Sequence, residues 1–169
     1  MKIEDIKIAF ARKKFQGSAP AVTEGRLKKM GIILEAGNDD LLHPFLELME
    51  DLKLSEEDIQ IIICRKAGVK NDLFEYPSIS IKDLSWKGNI SEEALAFLSS
   101  SYEVLISFTA EGNKLADFLV EVGRADLKAG RKKADKNAIF DLNISAELSE
   151  PEVFTRELKK YIPILKYSN

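Results

Sequence analysis

The stretch YEVLISFTAEGNKLADFLVEVGRADLKAGRKK (residues 102–133) decides the fold class. It opens with an apolar run, Tyr102 to Phe108, that reaches a turn around Gly112 and Asn113. A short apolar run bounded by turn residues suits a strand buried on both faces. Leu115, Phe118, Leu119 and Val122 then recur at helical spacing until Gly123 ends the helix. A brief strand around Leu127 follows. Strand, helix, strand in immediate succession is the unit from which parallel sheets are built.

The same reading extends in both directions. GIILEA (31–36) and DIQIIICRK (58–66) are further apolar runs, residues 78–84 give a shorter one, and AIFDLNIS (138–145) another. The helix after residue 40 carries Leu41, Leu42, Phe45, Leu46, Leu48 and Met49, and Pro44 confines its start, because a proline is tolerated in the first turn. Asp40 or His43 is the expected cap. A helix near Ser91 and a last one offering Val153, Leu158, Tyr161, Ile162 and Leu165 complete the pattern. The expectation is an α/β three-layer open sandwich: a mainly parallel sheet of five or six strands, helices on both faces, and an N-terminal amphipathic helix. Residues 1–22 are read as a basic helical arm and loop, and residues 23–169 as one Rossmann-like domain. Trp86, leaving the third strand, is expected to be partly buried at a packing joint.

Charge is unevenly spread. Residues 1–30 hold eight Lys/Arg against three Asp/Glu, so of the total of −3 the remaining residues 31–169 carry −8. A basic arm on an acidic body suggests a separate contact role. Its apolar face, read as Ile3, Ile6 and Phe10, needs a surface to cover, either its own domain or a second copy. The composition, 45% hydrophobic and 31% charged, is that of a globular chain. The start lacks the apolar run of a signal peptide, and no stretch approaches the ~18 apolar residues of a membrane span. A cytoplasmic protein with no membrane span is expected.

Catalytic vocabulary is thin. The sequence has no GxGxxG, no GxxxxGK[ST] and no GxSxG. His43 is the sole histidine, which excludes a multi-histidine zinc site, and Cys64 is the sole cysteine. A thiol inside an apolar strand reads as a small buried hydrophobe rather than half of a Cys64–His43 dyad. Asp39 and Asp40 precede a helix, where acids serve as caps more often than as cation ligands. No metal, no cofactor and no catalytic residue is expected.

Open α/β sheets bind ligands beyond the carboxyl ends of their strands, where strand order reverses. This rule selects residues 35–40, 65–70 and 107–113. The helix after the 102–109 strand would aim free N–H groups at an anion beside Thr109 and Gly112. Between residues 124 and 136 stand six Lys/Arg, read either as a solvated basic loop or as a phosphate clamp. The candidate ligand-binding residues are Ser107, Thr109, Gly112, Asn113, Gly130 and Arg131, with Lys128 folding back along the same edge. No aromatics interleave with these cations, which weakens a single-strand nucleic-acid platform there.

The order of segments also carries a resemblance. A basic amphipathic arm before GIILEA, then IKDLSWKGNI, YEVLISF, GRADLKAGR, FDLNIS and a closing ELKKYIPIL, resembles a family of small uncharacterised proteins from Bacteroidota, a domain of unknown function. The resemblance implies a Bacteroidota source and a cytosolic α/β protein, and it brings no catalytic residues. VEVGRADLKAGR (120–131) is similar to part of the N-terminal half of heptosyltransferase-type glycosyltransferases. That likeness implies the architecture but not the activity, which needs a second Rossmann-like half.

Three functions follow. The first is a non-catalytic binding or adaptor module, meeting an acidic protein partner or pairing as a homodimer through the arm. The second is a small enzyme or ligand-binding protein for a phosphate-bearing small molecule at the carboxyl edge. The third is an RNA or ribosome contact through the basic segments.

Overall fold

The computed structural model describes residues 3–16, 29–36, 42–66, 76–131 and 139–167. A loop is expected at 16–22; Gln16 instead ends the first helix, while residues 17–22, the pair Asp39 and Asp40, and Lys132, Lys133 and Lys136 lie outside the described residues. Six parallel strands form one sheet: β1 (Met30–Glu35), β2 (Ile59–Cys64), β3 (Ser78–Ile79), β4 (Ser101–Phe108), β5 (Arg124–Arg131) and β6 (Leu142–Ile144), in the order β3-β2-β1-β4-β5-β6. The helices are α1 (Ile3–Gln16), α2 (Leu42–Asp51), α3 (Glu92–Ser99), α4 (Lys114–Val122) and α5 (Pro151–Tyr167). The chain is thus an α/β open sandwich. Among the described residues no helix is long and apolar enough to cross a membrane.

Alternation of side chains along the strands feeds two cores. Ile32, Leu34, Ile61, Ile63, Val104, Ile106 and Phe108 point to one face, where α2 contributes Phe45 and Leu48 and α5 contributes Phe154, Leu158 and Ile162. Ile33, Ile62, Cys64 and Leu105 point to the other, covered by α3 and α4, with Ile8 and Ala11 of α1 and the Tyr102 ring joining that core. Apolar residues on both faces of β1, β2 and β4 explain why those runs are continuous rather than alternating.

Several expectations are corrected. The strand around Leu127 is eight residues long, so Arg124, Lys128 and Arg131 are strand residues and not part of a basic loop. The third strand keeps only Ser78 and Ile79 before a 3-10 turn, Ile81–Asp83. α2 begins at Leu42, which puts His43 inside the helix rather than at its cap, with Pro44 in the first turn as required. Phe154 takes the central place on α5, and Tyr161 is exposed. Trp86 is 55% exposed; Leu84, two residues earlier and 1% exposed, covers the sheet end in its place. The 85–89 turn closes on itself, with the Gly88 N–H donating to the Ser85 carbonyl at 3.0 Å and the Ser85 N–H to the Asn89 carbonyl at 2.9 Å.

The apolar stripe of α1 is also rotated from expectation. Ile8 is 4% and Ala11 0% exposed, and Phe15 meets Phe118 of α4 edge to face at 6.2 Å, whereas Phe10 is 50% exposed. Arg12 pairs with Glu121 and Lys114 with Asp5, so polar contacts between α1 and α4 flank the packed stripe.

Candidate functional site

Strand order runs one way from β1 to β3 and the other way from β4 to β6, so it reverses between β1 and β4. Beyond the carboxyl ends of β1, β2 and β4 lies a cleft of about 500 Å3. Glu35 and Ala36, Cys64 to Lys66, and Ala110 to Asn113 line it from the strand ends, while Glu4, Ile81 and Leu115 line it from α1, the 3-10 turn and α4. A hollow of about 650 Å3 lies elsewhere, among Leu46 and Met49 of α2, Ile59 and Ile61 of β2, and Phe97 of α3. It sits away from the strand reversal, so the smaller cleft is the better candidate.

Glu35 organises the cleft. Its Oε1 accepts the Ala110 N–H at 2.9 Å and the Asn113 side-chain N–H at 2.6 Å. The Asn113 Oδ1 in turn accepts the Ala116 N–H at 3.0 Å and so caps α4. Three polar groups at the strand-to-helix turn are therefore satisfied by two side chains. The consequence for binding is direct: the place where a free anion was expected beside the α4 N-terminus already holds a carboxylate. Gly112, at φ +82°, makes the turn, and a Cβ there would meet nothing within 4 Å. Arg65 donates from Nε to the Ser78 hydroxyl at 2.8 Å and from Nη2 to Asp83 at 3.3 Å, which braces β2 against β3 and the 3-10 turn.

Cys64 is buried beside this carboxylate. Burial pushes its thiol pKa far up, and the negative charges of Glu35 and Asp117 push in the same direction, so the thiol stays protonated. His43 stands on α2, in the other helical layer, exposed and paired with Glu47 at 3.1 Å. The two residues therefore form no dyad.

The six sequence-derived candidates divide into two groups. Gly112 and Asn113 line the cleft. Ser107 and Thr109 are buried with their hydroxyls 3.2 Å apart, and Ser107 is the register partner of Gly130. A Cβ on Gly130 would lie 2.3 Å from the Phe140 ring, so this glycine makes room for a core aromatic. Arg131 reaches the carboxyl rim, as the fold-back along β5 requires. There its Nη1 donates to the Thr109 carbonyl at 2.8 Å and its Nε to the Ala146 carbonyl at 2.9 Å, with the guanidinium 5.7 Å from the centre of the Phe108 ring. It clasps β4 to the segment before α5. Lys128 sits mid-strand opposite Leu105; burial lowers its pKa, against the opposing pull of Asp141 and Glu121.

Residues 7–165 match a single family model. The chain belongs to the DUF6913 family, a family of unknown function. No curated protein and no solved structure matches it. Membership in DUF6913 accords with the resemblance to an uncharacterised family; it carries no statement about a Bacteroidota source or a glycosyltransferase likeness. Glu35, Arg65 and Lys66 fell within the segments selected by the strand-end rule, but no sequence feature singled them out. The one available signal was that Glu35 is the first charge after an apolar run.

Proposed function

We propose that this DUF6913 protein is a cytoplasmic, non-catalytic binding module for a small phosphate-bearing metabolite with hydroxyl groups, held in the cleft at the strand reversal. The observation that carries the reading is the coincidence of that reversal with a cleft floored by the Glu35 carboxylate. Oε1 of Glu35 is engaged by the turn, and Oε2 is the acceptor left for ligand hydroxyls. Lys66, exposed in the cleft lining after β2, suits a phosphate. The strand order β3-β2-β1-β4-β5-β6 is the one in which Rossmann folds seat their nucleotides at the same crevice, and it supports the location without specifying the ligand. The acidic-partner reading of the arm is less favoured, because Arg12 and Lys14 are engaged by Glu121 and Asn89 of the same chain.

A thermal-shift screen against sugar phosphates and nucleotides tests this reading. A true ligand at about 100 times its dissociation constant stabilises by ~2.7 kcal/mol. Glu35→Gln keeps an oxygen acceptor for the turn and Lys66→Ala removes only an exposed cation, so each should bind about tenfold more weakly with the unliganded melt nearly unchanged. Wild-type protein that shifts with none of these compounds at millimolar concentration would overturn the proposal.

A further inference from the structure

Helix α1 presents two different stripes. Glu4, Ile8, Ala11 and Phe15 follow i, i+4, i+7 and i+11, and the three apolar residues of this set pack in the α4 layer. Lys7, Phe10 and Lys14 follow i, i+3 and i+7 on a second stripe, over the 86–89 turn. The Lys7 ammonium lies 5.6 Å from the centre of the Trp86 ring, and the Lys14 ammonium donates to the Asn89 side chain. Gly88, at φ +82°, lets the turn approach closely: a Cβ there would stand 2.8 Å from the Phe10 carbonyl.

The result is a surface assembled from segments more than 70 residues apart. Phe10 and Trp86 are among the most exposed large hydrophobic side chains, at 50% and 55%. Lys13 and Lys87, both exposed, adjoin Phe10 in the helix and Trp86 in the turn. Asp5 pairs with Lys114, and Glu4 lines the cleft. The sequence hides this arrangement, because the cations and the indole belong to separate segments.

We propose that this patch binds single-stranded nucleic acid, with unpaired bases stacking on Trp86 and Phe10 and phosphates held by Lys7, Lys13 and Lys87. Flat exposed rings among cations fit unpaired bases, because every base has a face to stack and stacking tolerates any sequence. A duplex offers its phosphates but not its base faces. A membrane surface would ask for more apolar area than one Phe and one Trp supply, since Ile8 and Ala11 of the same helix are already buried.

Trp86 is the only tryptophan, so its fluorescence reports on the patch directly. Titration of the full chain with a 12-nucleotide oligouridylate at low salt should quench the indole and saturate. With about three phosphates engaged, the logarithm of the binding constant should fall against the logarithm of salt with a slope of about −2. Phe10→Ala should weaken binding about tenfold, and Lys13→Glu with Lys87→Glu should nearly abolish it. Anisotropy of a labelled oligonucleotide should show a comparable loss for Trp86→Ala, and both aromatic variants should retain the melting temperature of the parent. Quenching that is independent of salt, binding indifferent to Phe10→Ala, or no response would each overturn the proposal. So would a blue shift with anionic phosphatidylserine vesicles in the absence of any response to the oligonucleotide. The cleft is a separate site, so its ligand screen and this titration fail independently.

Discussion

On one face of the sheet, α2 and α5 press Phe45 and Phe154 onto Phe108, with ring centres 5.1 to 6.1 Å apart. On the other face, α3 and α4 cover the strands, and α1 lies against α4 and the 86–89 turn. The first layer directs its large side chains inward, Tyr161 of α5 excepted. The second has an added helix that packs one stripe and exposes another, and it carries both candidate sites. Packing a helix on a helix rather than on the sheet leaves part of its apolar and cationic side chains without an internal partner. Those side chains are then available for contact with other molecules.

The largest expected effect tests the aromatic layer. Phe154 is fully buried between Phe45 and Phe108, so Phe154→Ala should cost about 3–5 kcal/mol through lost burial and the cavity left behind. Urea unfolding should show this as a lower midpoint at unchanged slope. A loss under about 1 kcal/mol would mean that this layer is no more central than the other.

Within α1, two residues separate the two stripes. Ile8→Ala should destabilise by about 2–4 kcal/mol, and Phe10→Ala by about 0.5 kcal/mol or less, because only the first removes a filled core position. Equal losses in urea titrations would break the division between stripes. Deletion of residues 1–20 is the coarser form of the test. The burial of Ile8 and Ala11 predicts a domain of lower urea midpoint once they are gone.

How much was legible follows from what each signal encodes. β1, β2 and β4 were readable because strands covered on both faces must be apolar throughout, and no surface helix imitates Ile-Ile-Ile closely bounded by charges. β5 outruns the brief strand expected around Leu127 because its cations suit a solvated loop as well as a strand, although charged and apolar residues alternate along RADLKAGR with strand period. α1 was recognised as a helix but not in the right rotation: Ile3, Ile6 and Phe10 have helical spacing, and so do Ile8, Ala11 and Phe15. Only a tertiary contact chooses between them. Glu35 was unreadable as a site residue for the same reason, since its partner Asn113 lies 78 residues away. The carboxyl rim itself was foreseen, because it depends on topology rather than on any single side chain.

The last expected effect concerns pH, and the two groups that carry the loss of stability lie in one layer. Cys64 and Tyr102 both belong to the core under α3 and α4. Burial raises the pKa of each, and it does so for Tyr102 even though a side-chain hydrogen bond from Ser100 acts to lower it. The Tyr102 hydroxyl also donates to the Phe97 carbonyl at 2.6 Å, which only its protonated form can do. Both groups lose a negative charge on binding a proton, and the folded state holds that proton more tightly than the unfolded chain. Their stabilisation is therefore complete below the unfolded values, about 8.5 for a thiol and about 10 for a phenol, and declines as pH rises past each. Urea unfolding between pH 7 and 10.5 should show stability falling from about pH 8.5. Cys64→Ala should remove the decline below about pH 10 and make it shallower above, where the thiol and the Tyr102 phenol otherwise act together. If Cys64→Ala leaves the whole profile unchanged, then the thiol is not held protonated by its surroundings, and the contrast in pH response between the two layers disappears.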